Sequence, residues 1–365
     1  MVVSGSQLFW IIVTTEVIAM LGLRISPAIL MAKQDAWISM LAGGGLGMLL
    51  TALTVNLSKL HPKQTVTQFS QALLGKWLGR VISIPYLLVW SLLTAGLLRS
   101  FSDFLHLILV DRTPLWMIML LLTGLMVYMT YSAGITGIGR YCELMGPIIV
   151  ITLFGSFVLN AGNIDLHHLL PVYSDSGWMN IAKGSLGPAF WYPGPFSLLV
   201  IPAFMPNLRK ALSRSLLGCG VTVLMLTIAT LMVLLIFGAN LSSQTRFPYF
   251  MYVRTIDIFN FIQNVDIFII FIWIFGVTAQ LSLYLFMFSY EASQWVLVKD
   301  WRKIVWFAAP GVYIIAMMIP NETILSQYDK LWVNMVFPVC GILIPMLLWC
   351  ITAFKNRARK SIKPV

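Results

Sequence analysis

Two charged side chains interrupt the first apolar run of the chain. Glu16 and Arg24 both lie within Leu8–Met31, a stretch long enough to cross a bilayer. An ionisable residue at that depth normally faces other protein or water. Arg24 stands in Gly22-Leu23-Arg24-Ile25-Ser26-Pro27, where a glycine and a proline disturb the helical pattern. A guanidinium fork there can hold a carboxylate, or it can act as a gate and reach for the outer interface. Glu16 can take an ammonium group or a proton, or it can pair with a polar neighbour in the bundle. Eight residues of helix hold the two about 12 Å apart, so they do not pair unless the break bends the chain.

A denser break follows in the sixth run. Gly187-Pro188-Ala189-Phe190-Trp191-Tyr192-Pro193-Gly194-Pro195 puts three prolines and two glycines into nine residues, with apolar sequence on both sides. The spacing predicts that the backbone leaves helical geometry near Gly22–Arg24 and again near Gly187–Gly194. Freed backbone groups at membrane depth must face protein or a wet cavity. The residues expected to bind a small ligand are Gly22, Leu23, Arg24 and Glu16 at the first break. Phe190, Tyr192 and Gly194 join them from the second break, Trp90 and Thr94 from the third run, and Trp273 from the eighth. Thr278 and Ser282 share a face of the eighth run and can help ligate an ion, although such hydroxyls more often bond their own backbone. Arg99 and Asp103, spaced i, i+4, read as a helix-surface ion pair.

Other chemistry is missing from the pattern. Cys142, Cys219, Cys340 and Cys350 are scattered without paired spacing, and they read as helix-packing residues. His167 and His168 are adjacent and point apart on any regular element, which is poor metal-site geometry. No phosphate-cradling loop, zinc spacing or nucleophile elbow occurs, so neither catalytic residues, a cofactor nor a resident metal is expected.

These residues need a membrane scaffold to position them. Of 365 residues, 59% are hydrophobic and 10% charged. Continuous Leu-, Ile- and Met-rich runs favour helices over a barrel. Ten spans are expected: Leu8–Met31, Trp37–Leu57, Val81–Leu109, Pro114–Tyr131, Leu144–Asn160, Gly184–Met205, Ser215–Gly238, Ile267–Tyr290, Ile304–Ile319 and Trp332–Phe354. No basic residue precedes the first run and no small-residue cleavage site follows it, so it reads as a span rather than a cleaved signal. Val66–Arg80 reads as a helix lying in the inner interface. With a cytoplasmic N-terminus, 16 basic residues fall inside and 7 outside. That asymmetry puts both termini in the cytoplasm. The net charge of +11 is then a cytoplasmic-face charge suited to anionic lipid headgroups, not a nucleic-acid footprint. Gly43-Gly44-Gly45-Leu46-Gly47 reads as a close-packing surface.

Interrupted spans one and six stand five apart in a chain of ten. That spacing predicts one transmembrane domain over 1–365, built as a 5+5 inverted repeat. Repeat one covers about 8–160, repeat two about 184–354, and a basic cytoplasmic tail follows at 355–365. The ligand site is expected at the midplane, between the breaks.

Several pieces, in order, carry a family resemblance. They are Gln34-Asp35-Ala36-Trp37-Ile38-Ser39; Gly75-Lys76-Trp77-Leu78-Gly79; Arg99, Asp103 and Arg112-Thr113-Pro114; Leu169-Leu170-Pro171-Val172; Phe247-Pro248; Trp273; and the basic tail. Together they resemble the spore germination permease-like family, the B subunits of GerA-type germinant receptors. The resemblance implies a LeuT-like fold of the amino acid–polyamine–organocation superfamily and a place in the inner membrane of the endospore. It also implies a role in sensing a small germinant such as an amino acid, sugar or nucleoside, with a larger membrane A subunit and a C-subunit lipoprotein as partners. An amino-acid or amine transporter is the other reading, since both use the same cavity. Two departures fall in the inferred pocket. Arg24 stands where the family commonly has the second glycine of Gly-x-Gly, and Gly194-Pro195 stands where it often has Gly-Glu. Glu16 is also atypical for its position.

Overall fold

The computed structural model describes residues 1–23, 25–173, 176–191, 196–257, 265–320 and 331–361, and every regular element among them is helical. The first span is α1 (Gly5–Leu23) followed by α2 (Ile25–Ala32). The second is α3 (Ala36–Leu60). A short α4 (Val66–Leu74) precedes the third span, α5 (Lys76–Ile108). A 45-residue element, α6 (Leu115–Leu159), comes next. The sixth span starts as α7 (Gly177–Trp191) and resumes as 3-10 turns at Ser197–Leu199 and Ile201–Phe204. The seventh is α8 (Ala211–Gln244), and α9 (Pro248–Arg254) follows it as a short outer helix. Spans eight and nine are α10 (Val265–Val296) and α11 (Arg302–Met318). The tenth begins as π-helix at Trp332–Val336 and Pro338–Leu343 and continues as α12 (Ile344–Ser361).

Straight, α6 would measure about 68 Å, more than twice a hydrocarbon core. It turns back at Gly134, whose φ of 55° is a left-handed value that favours glycine. Before the turn, Met126 and Thr130 bond Ser282, and Tyr131 bonds Arg302. After it the order along α10 reverses: Tyr141 meets Phe275, and Leu153 lies beside Trp273. One element therefore supplies spans four and five, and the described residues make ten spans.

The packing shows the repeat directly. Span one lies on span seven, and span six lies on span two. Span eight lies on span four, and span three on span nine. Exchanging each span for the one five further along turns each pair into the other, as a 5+5 pseudo-two-fold requires. Spans two and seven, and spans three and eight, pack on each other and close the core. The glycine run in α3 carries part of this. A Cβ on Gly43 would stand 2.6 Å from Ser185 O of α7, and one on Gly44 would stand 2.4 Å from a Val223 methyl of α8.

Three expectations need correction. The inner interfacial helix does not run from Val66 to Arg80. It ends at Gly75, whose φ of 86° breaks the helix, and Lys76–Arg80 form the first turns of span three. The fifth span does not wait until Leu144, because α6 resumes its helix directly after Gly134. The helical interruptions are narrower than proposed. Gly22 and Leu23 are still in α1, and α7 continues through Gly187 and Pro188 to Trp191. A proline inside a membrane helix is tolerated when neighbours satisfy the freed carbonyl, so Pro188 alone does not stop α7.

Candidate functional site

Buried hydroxyls on neighbouring spans reach carbonyls of spans six and ten. Ser58 of α3 donates to Leu198 O at 2.8 Å, within the 3-10 continuation of span six. Ser39 donates to Ile181 O at 2.9 Å. Tyr86 of α5 donates to Cys340 O at 2.8 Å, in the π-helical start of span ten. Sequence reasoning passed over these residues, because a lone serine or tyrosine in an apolar run carries no signal of what it will face.

Tyr86 also leads to the middle of the protein. Its ring centroid is 6.0 Å from that of Trp90 and 6.3 Å from that of Phe196. Phe196 is the first described residue after the second break, and it meets Trp332 at 5.4 Å and Phe337 at 5.9 Å. Spans three, six and ten therefore share one aromatic core beside the second break. Trp90 is fully buried, and among the described residues its indole Nε1 has no hydrogen-bond partner. An indole N–H is only a donor, so it presents an uncommitted donor in a water-poor place. Thr94, one turn on, gives its hydroxyl proton to Trp90 O at 2.6 Å.

Trp273 belongs elsewhere. It packs against Phe104 of α5 at 5.4 Å and stacks on Tyr249 of α9 at 5.9 Å. Phe104 is fourteen residues beyond Trp90 on α5, about 21 Å along the helix axis. The structure thus brings Trp90 and Thr94 together and sets Trp273 in an outer aromatic cluster. That cluster is roofed by α9, which hangs on span five. Tyr249 Oη and Ser156 Oγ are 2.8 Å apart, Tyr252 donates to Ser156 O at 2.8 Å, and Asn160 donates to Tyr252 O at 2.9 Å. Beneath the roof is a narrow, mostly apolar crevice between spans one, five and eight, lined by Ile18, Leu21, Ile149, Leu153, Tyr249 and Trp273.

Glu16 is 5% exposed and faces the other side of α1. Ile12, one turn earlier on the same face, meets Gly218 of α8, next to Cys219. Thr51 of α3 closes the same spot by reaching the Cys219 sulfur at 4.0 Å. Thr14 and Ile18, in contrast, meet Cys142 O of span five and Gly276 of span eight. Glu16 therefore points between spans two and seven, away from Trp273. Thr278 donates to Ile274 O and Ser282 to Thr278 O, each at 2.7 Å, so both hydroxyl protons are spent on the helix's own backbone. Arg24, Tyr192 and Gly194 lie outside the described residues. For Gly22, Leu23 and Phe190 the structure gives the backbone, helical in each case.

The face of the bundle that carries α9 is tied by charge. Arg99 Nε is 3.2 Å from Asp103 Oδ2, as the spacing predicts, and Arg246 shares that oxygen at 3.7 Å from the segment before α9. Ser26 of α2 donates to Thr245 O at 2.9 Å, which joins the outer half of span one to the same segment. Asp35, fully buried, holds the outer loop after span five by accepting from Tyr173 N at 2.9 Å and from the Ser176 hydroxyl. Gln34 adds a bond to Pro171 O at 2.8 Å. The Gln-Asp pair is thus a clasp for that loop.

Ten spans among the described residues, paired as two inverted halves, define a polytopic membrane protein of LeuT-like fold. The structure matches that of MHP1, a nucleobase-cation-symport-1 family transporter, with a TM-score of 0.69 and 14% identity, covering 94% of this chain and 77% of that one. It matches MhsT, solved in complex with L-phenylalanine, with a TM-score of 0.65 and 14% identity, covering 94% and 89%. The chain belongs to the spore germination protein family, whose model matches residues 2–326. Its relatives include spore germination protein YndE of Bacillus subtilis, 26% identical over 89% of both chains. They also include spore germination protein KB of the same species, 24% identical over 99% of this chain and 97% of the relative.

Proposed function

We propose that this protein is the germinant-sensing membrane subunit of a spore germinant receptor. A small molecule such as an amino acid, sugar or nucleoside binds at the midplane, between the two interrupted spans and span three. The observation that carries the reading is the buried, uncommitted indole donor of Trp90 beside the second break, in a chain of the germination family. The site we propose comprises Gly22, Leu23 and Arg24 from span one, Trp90 and Thr94 from span three, and Phe190, Tyr192 and Gly194 from span six. Glu16 supports span one from behind, against spans two and seven. Trp273 belongs to the outer cluster through which a ligand passes. Binding favours one arrangement of the two repeats, and the shift is passed to an A-type membrane subunit and a C-type lipoprotein. The protein then lies in the inner membrane of the endospore with both termini in the cytoplasm.

The transporter reading draws on the solved relatives of the fold, which include a symport-family transporter. Fold alone does not choose, because sensing and transport use the same cavity. Uptake of amino acids and nucleosides by the purified protein in liposomes separates the two, and the sensor reading expects none. Site membership is tested with Arg24→Ala in spores. Losing one partner of a buried charged contact costs about 2–5 kcal/mol. The germinant concentration for half-response should therefore rise at least about tenfold, since about 1.4 kcal/mol gives a factor of ten. Protein abundance is measured in parallel. An unchanged dose response at normal abundance removes Arg24 from the site.

A further inference from the structure

A second polar centre lies on the inner side, away from the midplane. Glu291, near the end of α10, is fully buried. Its Oε2 accepts from the backbone N–H of Thr67 at 3.0 Å, in the first turn of α4. Among the described residues its Oε1 is buried without a close hydrogen-bond partner, and so is the Thr67 hydroxyl. The side chains of Thr65 and Thr67 flank the carboxyl. One turn away, Gln68 donates to Gln294 Oε1 at 2.9 Å, so α4 and α10 are joined twice.

The charged and titratable groups around this contact are Lys355, His61, Arg80, Lys76 and Tyr290, and the Arg80 Nε is itself buried without a hydrogen-bond partner among the described residues. Lys355 of α12 gives its ammonium to Leu73 O at 2.6 Å. His61 stacks on Phe69 of α4, and its Nε2 is 2.9 Å from Thr352 Oγ1. Arg80 of α5 accepts the Trp295 indole N–H at its carbonyl. Lys76 opens α5, and Tyr290 is the neighbour of Glu291 on α10. Among the described residues none of them forms an ion pair with Glu291.

A carboxylate stripped of water needs a cation or several donors, and here the donors are one backbone N–H and the Thr65 and Thr67 hydroxyls, all neutral, with no cation paired to it among the described residues. The N-terminal end of α4 does favour a negative charge, but a single helix terminus is a weak substitute for a counter-ion. A proton on Oε1 removes the charge. It also turns an acceptor into an O–H donor facing the Thr67 hydroxyl, while Oε2 keeps its bond to the Thr67 N–H.

We propose that Glu291 is a proton-binding site on the inner side of the membrane, carrying its proton between span eight and the interfacial helix α4. Binding takes one proton from water and forms the O–H bond on Oε1, with no other reactant. Occupancy sets how firmly α4 sits on α10.

The test is infrared spectroscopy of the purified protein in lipid nanodiscs near neutral pH. The carbonyl band of a protonated carboxylic acid should be present in the wild type. Glu291→Gln, which has the shape of the neutral acid, should accumulate normally and lack that band. Glu291→Asp keeps an acid and should move the band, so the assignment still stands on a second variant if the glutamine protein fails to accumulate. A wild-type spectrum without the band, or one that neither variant alters, overturns the proposal. Glu291 would then be an ionised cap of α4.

Discussion

Gly43→Ala puts one methyl group into the closest approach between spans two and six. The added Cβ would meet Ser185 O at 2.6 Å, Pro188 Cβ at 2.8 Å and Ala189 N at 2.9 Å. Two of these atoms are backbone and the third belongs to a rigid ring, so none can swing aside. One helix must shift. Overpacking of this kind costs about 1–3 kcal/mol, and immovable neighbours place it near about 3 kcal/mol. Alanine returns about 1 kcal/mol of helix propensity over glycine. The net loss is about 2 kcal/mol, about thirtyfold in the folded ratio. Gly45→Ala is the matched control. Gly45 is exposed and nothing lies within 4 Å of its added Cβ, so only the propensity gain of about 1 kcal/mol applies. The two variants, two residues apart, should differ by about 3 kcal/mol with opposite signs. Reversible unfolding of the purified protein in detergent micelles, followed by tryptophan fluorescence, measures both. The contact ends one turn before α7 stops at Trp191, so Gly43→Ala should also blunt the germinant response. Equal stability of the two variants would refute the packing argument.

The orientation is tested with single cysteines at Ser174 and Lys360 in a cysteine-free background. An impermeant thiol reagent should reach them from opposite sides of the membrane, and labelling from one side would overturn the even number of spans. His61 is predicted to make the inner face acid-sensitive. Burial lowers its pKa below the usual 6.5, so it stays neutral in the fold and keeps its contact with Thr352. That contribution is complete above the unfolded value and is lost as pH falls through the folded one. Thermal melting of the wild type should therefore drop more than that of His61→Gln on acidification below about pH 6.5, and parallel curves would contradict it.

Much of the architecture was legible in the chain because hydrocarbon leaves few options. A backbone crossing it must satisfy its own polar groups, so every long apolar run is a helix. Proline, glycine and arginine inside such runs are costly enough to mark interruptions, and interruptions five spans apart mark the repeat. The glycine run of α3 was equally readable, since contiguous small residues invite a neighbour's backbone. The bounds of the breaks were not, because neighbouring helices decide whether Pro188 ends a helix or is absorbed by one. Arg99 and Asp103 announced their bond by spacing, but nothing local tells that Arg246 shares it from the far end of span seven.

The direction in which each buried group points is set by tertiary structure alone. Glu16 and Ile18 are two residues apart on one helix, and both suit a binding-site wall by type. Packing turns the first toward spans two and seven and the second toward span eight. Trp90 and Trp273 are interchangeable by composition, yet one lies beside the second break and the other in the outer cluster. Nothing local marks Glu291, which loses its water only because α4 folds against it. Apolar length and helix breakers act within a few residues of the chain, and a sequence displays them. Exposure, partners and depth depend on elements hundreds of residues away, and only the folded bundle brings those together.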